Sequence, residues 1–412
     1  MAAGARKRIL IVDDSAVMRS LLRSVVSADP GLEVAGTAAD GASALSSIGL
    51  LRPDLILMDV EMPVMDGLVT LRELRRQGHK MPVIMCSSLT QRGAKVTLEA
   101  LIGGASDYVA KPAGQANREA AIKALGQDLG PKIHALTDVP TVAPLGPAPG
   151  VFSGLFAGQK PPGGTAMTTG SISASAPANG QPVFPGLSRA PLIPPGAPPR
   201  TQAITTTPTV LAIGVSTGGP AALELLLPVL PANFPLPVLI VQHMPELFTR
   251  LFAERLDTRC RLRVREAVEG APVKPGTISI AKGNWHLEVI AGARGASSAT
   301  LHLTQGPLEN HCRPAVDVLF RSVVSVYGGG VLGVVLTGMG SDGMLGCRSI
   351  REHGGAVIAQ DQASSIVWGM PGAVTQAGLA HRVLPLSEIA PEILRLVSRT
   401  HNEARELRES VV

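Results

Sequence analysis

The chain predicts an α/β protein with two parallel-sheet domains joined by a long linker. Two observations carry that reading. Short aliphatic runs alternate with helix-length stretches in both halves, and the composition changes sharply between the halves. From residue 137 to 207 the chain is dominated by Pro, Gly, Ala, Thr and Ser, as in Pro161-Pro162-Gly163-Gly164, with few charges and no sustained period. Such a stretch cannot bury enough apolar surface to offset its ordering entropy, so it reads as a flexible linker with semi-rigid proline runs. The flanking domains span residues 7–136 and 208–400.

In the first domain, strands are expected at Arg8–Val12, Glu33–Thr37, Leu55–Met58, Pro82–Cys86 and Asp107–Val109, with helices such as Ala16–Ala28 and Gly67–Arg76 between them. Repeated βα units imply a parallel sheet covered by helices on both faces, with its site at the carboxyl ends of the strands. The chemistry-bearing residues fall there. Asp13 and Asp14 end the first strand, Asp59 the third and Ser87 the fourth, and Lys111 follows the fifth. Three carboxylates and an ammonium at one sheet edge suit a divalent cation and a phosphoryl group. Mg²⁺ prefers hard oxygen ligands and keeps some waters, so two carboxylates and a carbonyl suffice. Asp59 is then the phosphoacceptor and Asp14 a direct ligand, with Asp13 helping more indirectly and the Glu61 carbonyl completing the set. Lys111 and Ser87 would hold the phosphoryl oxygens. Each residue alone reads as a solvated loop group; four strand ends that agree do not.

The second domain repeats the alternation on a larger scale. Strands are expected at Val210–Val215, Pro237–Gln242, Thr277–Ala281, Val331–Leu336 and Ala356–Ala359, and helices at Pro220–Leu227, Glu246–Leu256, Ala315–Tyr327 and Ser341–His353. Gly214-Val215-Ser216-Thr217-Gly218 lies between a strand and a helix, the turn that exposes a nucleophilic serine. A dinucleotide loop would want glycine at position 216, and a P-loop would want Gly-Lys-Ser/Thr, which is absent. A serine needs a base and the base an orienting acid. His243 ends the next strand, and Asp342 follows the strand ending at Leu336. Asp361 is the better rival acid; Asp317 reads as a surface or capping residue. The Met339 N–H, in Gly338-Met339-Gly340, is the expected oxyanion donor. His286 and His311 read as surface or supporting residues. A cysteine hydrolase built on Cys312 is disfavoured, because its sequence neighbour His311 would have to face it.

Bulk composition excludes several classes. The 412 residues carry a net charge of +5 without a basic, aromatic-interleaved stripe, so nucleic acid is not an expected partner. Four cysteines form no CxxC pair, which favours a reducing cytoplasm. No signal-peptide core and no membrane-length apolar run is present, so no membrane insertion is expected.

Ile11-Val12-Asp13-Asp14-Ser15, Met58-Asp59-Val60-Glu61-Met62-Pro63 and Tyr108-Val109-Ala110-Lys111-Pro112 resemble response-regulator receiver domains. That resemblance implies a flavodoxin-like (βα)₅ fold, Mg²⁺ at Asp13, Asp14 and Asp59, phosphotransfer from a histidine kinase, and a switch in which Ser87 and Tyr108 reorient. Gly214–Pro220, Gln242-His243-Met244-Pro245, Arg313–Phe320, Thr337–Gly343 and Gly369-Met370-Pro371 resemble the chemotaxis protein-glutamate methylesterase (CheB) family. This second resemblance implies a doubly wound, mostly parallel α/β domain without a cofactor of its own. It implies hydrolysis of glutamate γ-methyl esters and deamidation of glutamine on methyl-accepting chemoreceptors, with the kinase CheA as phosphodonor. Ser216, His243 and Asp342 match the family triad and Met339 its oxyanion contact. At rest the receiver is expected to cover the cleft until Asp59 is phosphorylated. The contrasting classes are a non-catalytic output domain that only docks, and a DNA-binding regulator.

Overall fold

The computed structural model describes residues 6–88, 90–112, 117–137, 204 and 207–409. The expected linker, 137–207, lies outside the described residues apart from Thr137, Ile204 and Thr207.

In the first domain β1 (Lys7–Val12), β2 (Leu32–Ala38), β3 (Leu55–Asp59), β4 (Val83–Ser87) and β5 (Asp107–Ala110) form a parallel sheet in the order β2-β1-β3-β4-β5. The helices are α1 (Ala16–Ser27), α2 (Gly41–Leu51), α3 (Gly67–Arg76), α4 (Gln91–Ile102) and α5 (Arg118–Thr137). Successive strand residues face opposite sides and both faces are covered, so β1 is apolar and buried from Ile9 to Val12. Ile9 and Ile11 pack in one core with Leu22 of α1 and Leu125 of α5, while Leu10 and Val12 join Ile48 of α2 and Leu71 of α3. Ser15, Asp40, Asp66 and Thr90 cap α1 to α4 by accepting backbone N–H bonds, which fixes where each helix begins.

The second domain contains β6 (Val210–Val215), α6 (Gly219–Leu226), β7 (Val238–Gln242), α7 (Glu246–Arg259), β8 (Arg263–Glu266), β9 (Thr277–Ile280), β10 (His286–Gly292), β11 (Gly295–Thr304), α8 (Val316–Tyr327), β12 (Val331–Val335), α9 (Met344–Glu352), β13 (Ala356–Gln360), α10 (Met370–Gln376), β14 (Arg382–Leu384) and α11 (Leu386–Glu409). Seven strands form one sheet, β14-β13-β12-β6-β7-β9-β8, with every pair parallel. β10 and β11 form a separate antiparallel hairpin. The chain winds outward from β6 toward β7 and from β12 toward β13, so the sheet's topological switch point lies between β6 and β12. In open α/β sheets that is where ligands bind.

The two domains meet through α4, which packs against α6 and α7. Tyr108 stacks on Phe248 of α7 with ring centroids 4.7 Å apart and planes 17° from parallel. The Thr217 hydroxyl donates a 2.7 Å hydrogen bond to Asp107 Oδ2. None of the described helices is long and apolar enough to cross a membrane.

Candidate active site and phosphoacceptor site

Ser216 follows β6 and His243 follows β7. Val215 is in register with Gln242, so the next residues on the two strands, Ser216 and His243, are neighbours across the sheet edge. The chain after Ser216 turns at once. The Ser216 carbonyl accepts the Gly219 N–H at 2.8 Å, and Gly218 has φ 78° and ψ −4°, the third-residue conformation of a type II turn. A side chain at 218 would be strained in φ and would collide with Ile366. The Ser216 N–H donates to the Thr337 carbonyl at 3.0 Å, which ties this turn to the end of β12.

Asp342, 2% exposed, accepts from five groups. His243 Nε2 donates to its Oδ2 at 2.8 Å, and the Val316 N–H to the same oxygen at 2.7 Å. Oδ1 receives the N–H groups of Asp317 and Gly343 and the Asn310 Nδ2 at 2.8 Å. Burial pushes the Asp342 pKa up, but the imidazole and these N–H donors outweigh it and hold it below the usual carboxylate range. Burial lowers the pKa of His243, but the Asp342 bond and the contact with Cys312 outweigh it and leave it above an ordinary imidazole. Asp342 occupies Nε2, so Nδ1 is the nitrogen left for a nucleophile. Here Nδ1 contacts Cys312 Sγ at 3.7 Å, and the Ser216 hydroxyl makes no hydrogen bond among the described residues.

That geometry has a measurable consequence. A base must be neutral to accept a proton, so a raised pKa puts the loss of activity on the acid side. The kcat/KM for ester hydrolysis should rise with pH through a midpoint above the ordinary histidine value of about 6.5. Cys312→Ala removes one of the contacts that raise it, so its midpoint should lie lower than the wild type's. Equal midpoints in the two proteins would contradict the assignment of Nδ1.

The other candidates resolve individually. Asp317 is buried rather than at the surface: it is 1% exposed, with Oδ1 accepting the Gly346 N–H near the start of α9 and Oδ2 accepting Asn310 Nδ2. It does not cap its own helix, whose N-cap residue is Ala315, and burial raises its pKa. Asp361 is engaged by the Ser364 N–H and hydroxyl. His286 is buried, accepts the Ala315 N–H at Nδ1 and donates from Nε2 to the Pro307 carbonyl, so it supports the loop before α8. His311 is exposed. Cys312 does lie beside a histidine, but that histidine is His243. The turn responsible is Glu309–Cys312: Asn310 and His311 both have positive φ, and reciprocal backbone bonds between Glu309 and Cys312 close it. The Met339 N–H has no hydrogen-bond partner among the described residues, as an oxyanion donor requires.

At the receiver edge, ligand oxygens of Asp13, Asp14 and Asp59 all lie within 4.8 Å of one another. Lys111 Nζ is 2.7 Å from Asp59 Oδ2 and 2.9 Å from Asp13 Oδ2. The Asp13 oxygen is buried and has no well-aligned hydrogen bond, so an oxygen-seeking cation fits the donor set. Burial raises the Asp59 pKa, the Lys111 hydrogen bond lowers it, and the Asp13 charge raises it further. The Ser87 hydroxyl accepts from Thr97 of α4 at 2.7 Å and donates to the Ser88 carbonyl, so it is turned toward α4.

A receiver whose fifth strand touches the turn of a hydrolase-type α/β domain defines a response regulator with a hydrolytic output domain. The CheB methylesterase family model matches residues 211–393, and the response regulator receiver domain model matches residues 9–123. The protein-glutamate methylesterase/protein-glutamine glutaminase of Nocardioides sp. is 48% identical over 392 residues, covering 95% of this chain and 96% of that one. The namesake of Trichodesmium erythraeum is 44% identical over 390 residues (95% and 99%), and that of Maricaulis maris 42% over 393 residues (94% and 95%). The chain belongs to the protein-glutamate methylesterase/protein-glutamine glutaminase (CheB) family.

Proposed function

We propose that this chain hydrolyses glutamate γ-methyl esters and deamidates glutamine on methyl-accepting chemoreceptors, under control of phosphoryl transfer to Asp59. One observation carries the reading: Ser216 and His243 are neighbours at the ends of β6 and β7, beside the switch point, and Asp342 lies 2.8 Å behind the imidazole. A domain that merely docked would have no use for an imidazole bonded to a buried carboxylate beside a serine on a tight turn.

In this reading Ser216 Oγ attacks the ester carbonyl carbon while His243 Nδ1 takes its proton. The negative charge that develops on the carbonyl oxygen faces the free Met339 N–H. His243 returns the proton to the departing methoxide, or to the departing amide nitrogen of a glutamine, so methanol or ammonia leaves an acyl-Ser216. Water then attacks by the same route and releases glutamate. Asp342 keeps the imidazole in one tautomer and stabilises its charged form.

Asp59 would take the phosphoryl group from a histidine kinase, CheA in this family, its carboxylate oxygen attacking phosphorus as the N–P bond breaks. Mg²⁺ held by Asp13, Asp14, Asp59 and the Glu61 carbonyl would supply positive charge against the crowded oxygens. Lys111 and Ser87 would pair the phosphoryl oxygens. All four cysteines are free thiols, consistent with a cytoplasmic protein.

The test is methanol release from methylated receptor membranes, with and without a small phosphodonor and Mg²⁺. Release above background, stimulated by the donor, is expected; no release under either condition refutes the reading. The resting state has its own test. Thr217 adjoins the nucleophile, and its hydroxyl bond to the buried Asp107 carboxylate ties the turn to the receiver. A hydrogen bond to a charged group is worth about 1.5–3 kcal/mol, so Asp107→Ala should raise resting methanol release by about tenfold or more. An unchanged resting rate would remove this bond from the inhibitory contact.

A further inference from the structure

We propose that Gln242 is a positioning residue for ester hydrolysis: it holds the peptide plane between Ser216 and Thr217 so that the Thr217 N–H faces the oxygen of the bound ester. The inference rests on the serine-hydrolase reading above and adds to it a second backbone donor beside Met339.

Gln242 is the last residue of β7 and is 2% exposed. Its Nε2 donates to the Ser216 carbonyl at 3.0 Å and approaches the His243 carbonyl at 3.5 Å. Two carbonyl oxygens on one side dictate the orientation of the amide, because a flipped group would set its own oxygen against both. In a trans peptide the C=O and the following N–H point in opposite directions. Holding the Ser216 carbonyl toward β7 therefore directs the Thr217 N–H away from β7, and that N–H has no partner among the described residues. The next peptide of the turn is held the same way, by the Thr337 hydroxyl donating to the Thr217 carbonyl at 2.9 Å. The N–H of the residue after a nucleophilic serine is a recurrent oxyanion donor on strand-to-helix turns.

Gln242 is retained at a cost. Its Oε1 is buried with no hydrogen-bond partner. The same oxygen fills the space where a side chain at Gly219 would begin, 2.0 Å from an ideal Cβ, so position 219 must stay glycine. A leucine or methionine would satisfy this part of the core better. A buried amide with an orphaned acceptor is explained if its donor serves the reaction rather than the fold.

The decisive variant is Gln242→Met, of similar length but without donor or acceptor. The expected result is a kcat about 10- to 100-fold lower, as for loss of oxyanion alignment, with KM within about twofold. The melting temperature should hold or rise, because a desolvated, unpaired oxygen has been removed. A kcat within about twofold of wild type overturns the proposal, as does a loss of kcat matched by a loss of folded protein. If Gln242→Met does not fold, Gln242→Glu decides. It keeps the shape, but once ionised it sets an oxygen against the Ser216 carbonyl, so its activity should fall with rising pH where the wild type's rises. A profile parallel to the wild type's overturns the proposal. Ser216→Ala, run alongside, separates the two levels. Retained activity there sinks the serine reading itself, whereas an inactive Ser216→Ala with an unaffected Gln242→Met sinks only the role of Gln242.

Discussion

Ser216→Ala is expected to lower methanol release by at least about 10³-fold, the scale seen when a triad nucleophile is removed. The loss should be catalytic and not structural. The Ser216 hydroxyl makes no hydrogen bond among the described residues, and the turn is held through its backbone, by the Gly219 N–H and Gln242 Nε2 on the Ser216 carbonyl and by the Thr337 carbonyl on the Ser216 N–H. Removing that oxygen should change stability by no more than about 0.5 kcal/mol, and phosphoryl transfer to Asp59 should proceed at its usual rate. His243→Ala should fall by a similar factor, and the double variant should be little worse than either single one, because the two groups act as a unit. Labelling by an organophosphorus reagent follows the same logic: it should reach wild type at Ser216, fail in Ser216→Ala and slow in His243→Ala. A Ser216→Ala protein that released methanol at more than about one-tenth of the wild-type rate would transfer the chemistry to another group. Cys312 would then be the first to examine, since its sulfur already touches Nδ1.

How much of this was legible in the sequence follows from where each residue sits. Parallel βα architecture puts functional side chains one or two residues past an aliphatic run, so Asp13, Asp59, Lys111, Ser216 and His243 could be found by locating strand ends. The inner strands β1, β3, β6, β7, β12 and β13 are largely or wholly buried, and their unbroken aliphatic runs announce them. The edges of the second sheet were not legible. β8 is Arg-Val-Arg-Glu with only Val264 buried, and β14 has three residues, none of them fully buried. In the hairpin, β11 opens Gly-Ala-Ser-Ser-Ala, a composition that suggests a loop. The support of the active site was hidden for a different reason. Asn310 and Cys312 reach Asp342 and His243 only because a two-residue turn with positive φ folds back on itself. Asp317 looks like a first-turn acid on an amphipathic helix, and only packing of α8 against α9 buries it. Gln242 carried a signal, a polar residue closing a strand of four aliphatics beside the base, but sequence alone does not say which carbonyl it meets.

Asp59→Ala is expected to abolish activation by a phosphodonor, bringing the ratio of donor-treated to resting activity to about 1, against a wild-type ratio of at least about ten. The magnitude follows from what holds the resting contact. The Thr217–Asp107 bond engages a charged acceptor, and the Tyr108–Phe248 stack adds about 0.5–1.5 kcal/mol beyond its buried area. Breaking both shifts the closed state by a few kcal/mol, which permits a ratio of ten with room to spare. The path from Asp59 to these contacts is short. Lys111, bonded to Asp59, follows β5, the strand that carries Asp107 and Tyr108. Ser87, now bonded to Thr97, anchors α4, the helix that packs on α6 and α7. A phosphoryl group on Asp59 competes for both Lys111 and the Ser87 hydroxyl, and winning the hydroxyl frees Thr97. A double variant separates this route from a general loosening. Asp59→Ala combined with Asp107→Ala should match the raised resting rate of Asp107→Ala, because the Thr217–Asp107 bond is gone, and show no response to donor, because the phosphoacceptor is gone. If the double variant instead returned to the low resting rate, the link from phosphoacceptor to catalytic turn would not run through Asp107. If Asp59→Ala alone still responded to donor, the switch would not start at Asp59.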